Sequence, residues 1–309
     1  MIRVFGFLVG ITFAGVLLIS LISGVATYFA DPPAALASTV FHEEPKALHL
    51  TSDGPFGKFD NRQLQRGFQV FSEVCTACHS LKLVAFRDLK QIGYNEPEVK
   101  KIASDWKIQV PSINDQTGEP ATRPAIMSDT FPAPFANEVA ARAANNNALP
   151  PDLSLITKAR EGGAAYVYSL ITGYQTQPAA LLKQFPDAKT PDGLYYNPYF
   201  ANLNIAMPPP LTSNGQVSYA DGTNPTVDQM AKDIAAFLVW TAEPDLARRH
   251  ADGIAVTIFL LFATVLGYMA YTQLWAEAKR KVAPVGPLDS ANKARRSRAA
   301  RAARITTSG

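Results

Sequence analysis

Both cysteines of this 309-residue chain fall in one pentapeptide, Cys75-Thr76-Ala77-Cys78-His79. With four histidines in the chain, chance would produce that arrangement with a probability on the order of 10⁻⁴. C-x-x-C-H is the spacing of covalent c-type haem attachment. Two thiols three positions apart each add to one vinyl group, and the adjacent imidazole reaches the iron from the same face. A disulfide or a redox thiol pair shares half of the pattern, but redox thiols sit in a thioredoxin-like βαβ context that the flanking sequence does not show. A zinc site needs more soft ligands, and there is no second cysteine pair. One motif implies one covalently bound haem c, around which the chain has to fold.

Two apolar runs set the surroundings of that fold. No residue from Val4 to Ala30 is charged, Arg3 precedes the run, and Ala35-Leu36-Ala37 leads into Ser38. Residues 1–37 therefore read as a secretory signal peptide; the run is also long enough for a retained anchor. Either reading carries the chain from Ser38 onward across a membrane. The second run, Ile254 to Trp275, is 22 residues without a charge. At about 1.5 Å per residue it reaches roughly 33 Å, enough for a bilayer core. Tyr268, Tyr271 and Trp275 gather at its far end as an aromatic belt. Lys279, Arg280 and Lys281 come next, then Lys293, Arg295, Arg296, Arg298, Arg301 and Arg304; positive charge of this kind stays in the cytoplasm. The expected organisation is a signal over 1–37, an exported haem domain over 38–250, one transmembrane helix over 251–277 and a basic cytoplasmic tail over 278–309.

Residues 38–250 carry 19 basic and 22 acidic side chains, residues 251–309 nine and three. A basic tail beside a span attracts anionic headgroups by about 1 kcal/mol per residue. It is too short and too closely tethered to suit nucleic acid. The small acidic excess of the domain admits a basic soluble partner.

Within the domain, Asp60 or Asn61 is expected to cap a helix leading to the haem motif, with Leu64, Phe68, Phe71 and Val74 as its apolar stripe. Six prolines between 97 and 134 predict surface loops over 85–135, with one helix near Glu96–Trp106. Asn137 caps a short helix ending in Asn145-Asn146-Asn147, and a further helix runs from about Gly163 to Gly173. Residues 176–225 show no helical period, and so long a loop tends to be functional. Thr226 and Gln229 form a capping box for a helix that Pro244 ends. His79 supplies one iron ligand. Among the methionines Met207, stiffened by Pro208 to Pro210, and Met127 are the candidates for the second; a histidine or an open position are the other possibilities.

These residues resemble a known family, cytochrome c1, the membrane-anchored haem c subunit of the quinol–cytochrome c oxidoreductase (cytochrome bc1 complex), of bacterial type. The matching stretches are Arg66–Phe71, Ala140–Ser154 with Leu149-Pro150-Pro151-Asp152, Arg160–Tyr174, Tyr195–Phe200 and Ile205–Leu211. The resemblance implies a mostly α, class I cytochrome c-like haem domain with long loop insertions and one C-terminal transmembrane helix. It implies His79 and Met207 as the iron ligands, Arg160 at a haem propionate, and Tyr166 with Asn145, Ala148, Leu149, Pro150 and Pro151 along the haem crevice. A carbonyl at Pro150 or Pro151 is placed to accept the His79 Nδ1 proton. The implied function is one-electron transfer in the respiratory chain, from a Rieske iron–sulfur subunit to a soluble or membrane-bound cytochrome c. The implied partners include cytochrome b and the lipid bilayer, with the haem domain on the periplasmic side of the inner membrane. No substrate is transformed on such a chain and no catalytic residue is expected; the enzyme is the complex. A stand-alone membrane-anchored carrier is the alternative, and a haem-based sensor or peroxidase with an open iron site is a third.

Overall fold

The computed structural model describes residues 2–281 except Pro33, together with Ala294, Ser297 and Arg298. It divides into one unit ending at Ala247 and another beginning at Arg248. The basic tail expected over 278–309 lies outside the described residues apart from the last turn of a helix and those three positions.

The first unit is mostly helical. After α1 (Ile2–Ala30) and α2 (Ala37–Phe41) comes α3 (Asn61–Glu73). Asp60 caps α3 by accepting from the Arg62 amide at 3.0 Å, and Leu64, Phe68 and Phe71 are buried along one stripe. Helix α9 (Val227–Ala242) crosses α3 at Gly67, where a Cβ would lie 2.2 Å from the Asp233 carbonyl oxygen. Only a residue without a side chain lets the two backbones meet. An ion pair locks the crossing. Asp233 is fully buried, and Arg66 reaches both of its oxygens, at 2.9 and 3.2 Å. Gln229 completes the carboxylate's partners at 2.9 Å. The expected capping box is therefore half formed. Thr226 Oγ1 accepts from the Gln229 amide at 3.0 Å, while the Gln229 side chain turns to Asp233, because a buried carboxylate needs donors more than an accessible helix end does.

The remaining helices are α4 (Glu96–Ser104), α5 (Glu138–Ala144), α6 (Ile156–Ala159), α7 (Gly163–Thr172) and α8 (Ala179–Gln184). Asn95 and Asn137 cap α4 and α5, and α7 spans the predicted interval between its glycines. Residues 85–135, expected as surface loops, hold part of the core instead. Strand β1 (Leu81–Ala85) pairs with β4 (Thr130–Phe131), and a hairpin joins β2 (Val110–Ile113) to β3 (Pro120–Arg123). Phe86, Leu89 and Ile92 on a 3-10 stretch are buried with Phe131, and Phe131 lies 4.3 Å from the Phe86 ring centre. The excursion after α7 is structured as well. It holds α8 and the short pair β5 (Tyr195–Tyr196) and β6 (Asn204–Ile205), around a second small core of Leu181, Tyr196 and Leu203 that Ala37 and Phe41 cover.

The helix α10 (Leu246–Lys281) continues into the second unit. It starts before the apolar run expected to span the membrane. By length and composition α1 and α10 both suffice to cross a bilayer, and neither buries any of its apolar window.

Candidate functional site

Helix α3 ends at Glu73, and the chain tightens into a 3-10 turn over Cys75–Ala77. The amides of Cys78 and His79 both bond back to the Cys75 carbonyl, at 3.2 and 2.9 Å. This turn presents two thiols and an imidazole from five consecutive residues. The thiols are not joined to each other. Burial, with Cys78 nearby, pushes Cys75 up to about 12, and burial raises Cys78 too.

His79 Nδ1 lies 2.8 Å from the Pro151 carbonyl oxygen. A carbonyl only accepts, so Nδ1 carries the proton and Nε2 keeps its lone pair. Burial holds the imidazole below its ordinary pKa, against the Pro151 bond and the Asp152 charge, which raise it. Pro151 is held in place by its neighbour. Asp152 accepts from Ser80 Oγ and the Lys82 amide, each at 2.8 Å, and from the Ser154 amide at 3.0 Å. The Leu153 amide bonds to the Ser80 carbonyl at 2.9 Å, and Ser154 Oγ accepts from the Leu83 amide at 3.1 Å. Burial works to raise the Asp152 pKa, but the hydrogen bonds from Ser154, Lys82 and Ser80 outweigh it and hold the carboxyl below its ordinary value.

The chain reaches Pro151 by a reversal after α5. Asn145 caps that helix and donates to the Ala141 carbonyl at 2.7 Å. Asn146 and Asn147 take φ of 50° and 61°, left-handed conformations that asparagine tolerates. Ala148 bonds back to Asn145 at 2.9 Å, and Leu149 and Pro150 lead on to Pro151.

A second group gathers around α7. Arg160, exposed just past the end of α6, donates to the neighbouring Ala159 carbonyl at 3.3 Å, and Tyr166 is half-buried, with burial raising its hydroxyl pKa against the nearby Arg160 charge. Beyond Gly173, Tyr174 donates from its hydroxyl to the Met207 carbonyl at 3.0 Å and packs edge-on to Tyr195 at 6.4 Å. Met207 is half-buried just after β6. Met127 packs against the main core, and its carbonyl accepts from the Arg87 amide at 2.8 Å. Among the described residues no hydrogen bond, ion pair or ring contact joins His79 to Met207. Sequence reasoning does not single out Asp152, Ser80, Ser154 or Tyr174 as site residues. An acid directly after two prolines and a tyrosine directly after a helix-ending glycine are the signals it had to work with.

The donor set fits a c-type haem: two unjoined thiols on one turn beside an imidazole whose outer nitrogen is free. Comparison with known proteins agrees. The model of the Cytochrome C1 family matches residues 50–278. Cytochrome c1 of Rhodospirillum rubrum is 43% identical over 240 residues, covering 73% of this chain and 85% of the relative. The mitochondrial haem protein cytochrome c1 of Saccharomyces cerevisiae is 41% identical over 255 residues, 82% of this chain and 80% of the relative. Cytochrome b/c1 of Bradyrhizobium diazoefficiens is 46% identical over 251 residues, 76% of this chain and 36% of that longer protein. The chain belongs to the cytochrome c1 family.

Proposed function

We propose that this chain, a haem c-carrying electron-transfer subunit of the cytochrome bc1 complex, takes one electron from a Rieske iron–sulfur subunit. It passes that electron to a soluble or membrane-bound cytochrome c. The observation that carries the reading is the His79–Pro151 bond beside two free thiols, which leaves one imidazole nitrogen for iron. Haem c, when bound, supplies a one-electron ferric–ferrous couple. Cys75 and Cys78 hold it through thioethers, and His79 and Met207 are its ligands. Arg160 balances a propionate, and Tyr166 with the Asn145–Pro151 reversal walls the crevice. The chain makes or breaks no substrate bond; quinol oxidation belongs to other subunits.

The haem domain sits on the periplasmic side of the inner membrane, α10 is its anchor, and the basic tail is cytoplasmic. Helix α1, within a signal over 1–37, directs export of the haem domain. The resemblance of this chain to part of a cytochrome b/c1 protein supports a cytochrome b partner.

Purification from mildly solubilised membranes tests this. The expected preparation holds this chain with a cytochrome b and an iron–sulfur protein, and rapid quinol addition reduces its haem. Recovery of the chain alone, in active form, sinks the assignment to a complex. Carbon monoxide binding by the native ferrous protein at neutral pH would instead show an open iron site.

A further inference from the structure

The Met207 segment is stiffened on one side and paired on the other. Pro208, Pro209 and Pro210 come directly after it, and their fixed φ limits how the chain can turn. Ahead of it Ile205 and Asn204 pair with Tyr195 and Tyr196. A two-residue ladder is too short to set a position by itself. The Met207 peptide also has a tether from far away in sequence, the Tyr174 hydroxyl at 3.0 Å.

Tyr174 is rigidly based. It lies just past the end of α7, whose last carbonyls are held from two directions. The fully buried Asn197 donates Nδ2 to the Leu170 carbonyl at 2.8 Å. Lys46 Nζ donates to the Thr172 carbonyl and hydroxyl at 3.2 and 2.9 Å, and the Lys46 amide to Ser169 Oγ at 2.8 Å. At Gly173 a Cβ would lie 2.3 Å from Tyr199 Cδ2, so the helix end is pressed against the Tyr199 ring. The residue after Gly173 therefore has little freedom, and its ring edge is packed against Tyr195.

We infer that Tyr174 is a positioning residue for Met207: its hydroxyl fixes where the Met207 thioether is presented to the haem. The inference rests on the reading of Met207 as an iron ligand.

Tyr174→Phe in the full chain, assembled in its membrane complex, removes one hydroxyl and keeps the ring. The expected protein retains both thioethers, shows a weakened near-infrared sulfur-to-ferric-iron band, has a lowered midpoint potential and binds imidazole about fivefold more tightly, the effect of one lost hydrogen bond. Tyr195→Phe, which keeps the ring contact and leaves the Met207 tether intact, should leave all of these as in the native protein. Native band, potential and imidazole affinity in Tyr174→Phe overturn the inference, as does an equal effect from Tyr195→Phe. Failure of Tyr174→Phe to accumulate with haem attached also overturns it, since a hydroxyl that only aims Met207 is not needed to build the pocket. Met207→Leu separates the two levels. If it leaves the band and the potential unchanged, Met207 is not a ligand and the inference falls with that reading. If it abolishes the band while Tyr174→Phe does not alter it, the ligand reading stands and the positioning role is gone.

Discussion

Asp152→Ala is the most direct probe of how the haem turn is held. The wild-type carboxylate accepts three hydrogen bonds, and their donors differ in exposure. Ser154 is fully buried and Ser80 is 8% exposed, whereas Lys82 is exposed. Water replaces the lost partner at the Lys82 amide and does so poorly at the other two. A hydrogen bond to a charged group contributes about 1.5 kcal/mol at the low end, so two stranded donors cost about 3 kcal/mol. For a domain of this size, about 2–4 °C accompanies each kcal/mol, so the thermal midpoint should fall by about 6–12 °C. Asp152→Asn keeps an acceptor oxygen and should lose less than half of that.

The assay is thermal loss of the Soret band in the purified complex. A redox titration adds an independent readout. Once Pro151 is no longer held against His79, the imidazole loses a bond that raises its basicity, which supports ferric iron less, so the midpoint potential should rise. An Asp152→Ala protein that melts within about 1 °C of the native one would show that backbone pairing alone, through Leu153 and Ser80, holds the two segments together.

Cys78→Ala should leave the haem on one thioether, read as a red shift of the pyridine haemochrome α band; an unshifted band contradicts covalent attachment at this turn. Gly67→Ala places a methyl 2.2 Å from the Asp233 carbonyl, where helix backbones cannot yield cheaply. It should cost about 3 kcal/mol, and a native melting temperature would refute the close crossing. Asp221 is held down to about 2 by the Thr223 amide, with Arg66 adding to it. Its folded pKa is depressed, so its contribution is complete above the ordinary carboxylate value and is lost as pH falls towards 2. Native stability should therefore drop more steeply between about pH 4 and pH 2 than that of Asp221→Asn, and parallel acid curves would refute the linkage.

Much of the helical framework was legible because its signals are local. Asp60 and Asn137 lie one residue before their helices and signal them by type. The Leu64–Phe71 stripe repeats at helical spacing, and Gly163 and Gly173 mark both ends of α7. The half-formed box at Thr226 shows the limit of such rules. Gln229 lies at the right distance in sequence, yet a buried carboxylate four residues on competes for its side chain, and the sequence carries no sign of that burial.

The stretch between 81 and 135 is opaque for a related reason. Its prolines do break regular elements, but broken chain is not surface chain. Leu81 pairs with Phe131 across 50 residues, and Phe86 meets Phe131 and Trp106 in one aromatic cluster. A two-residue strand has no period to read, and its burial depends on a partner that sequence order does not name. The same holds at the site. Three elements of the motif, two thiols and an imidazole, lie within five residues and declare a haem. What aims them does not. Met207 and a carbonyl at Pro150 or Pro151 could be named beforehand, but the residues that hold them, Asp152 and Tyr174, could not: the contacts span 72 positions from His79 to Pro151 and 33 from Tyr174 to Met207. The chemistry of this chain is written locally and its geometry non-locally, so substitutions that retune the haem without displacing it should fall at those distant anchors rather than in the pentapeptide.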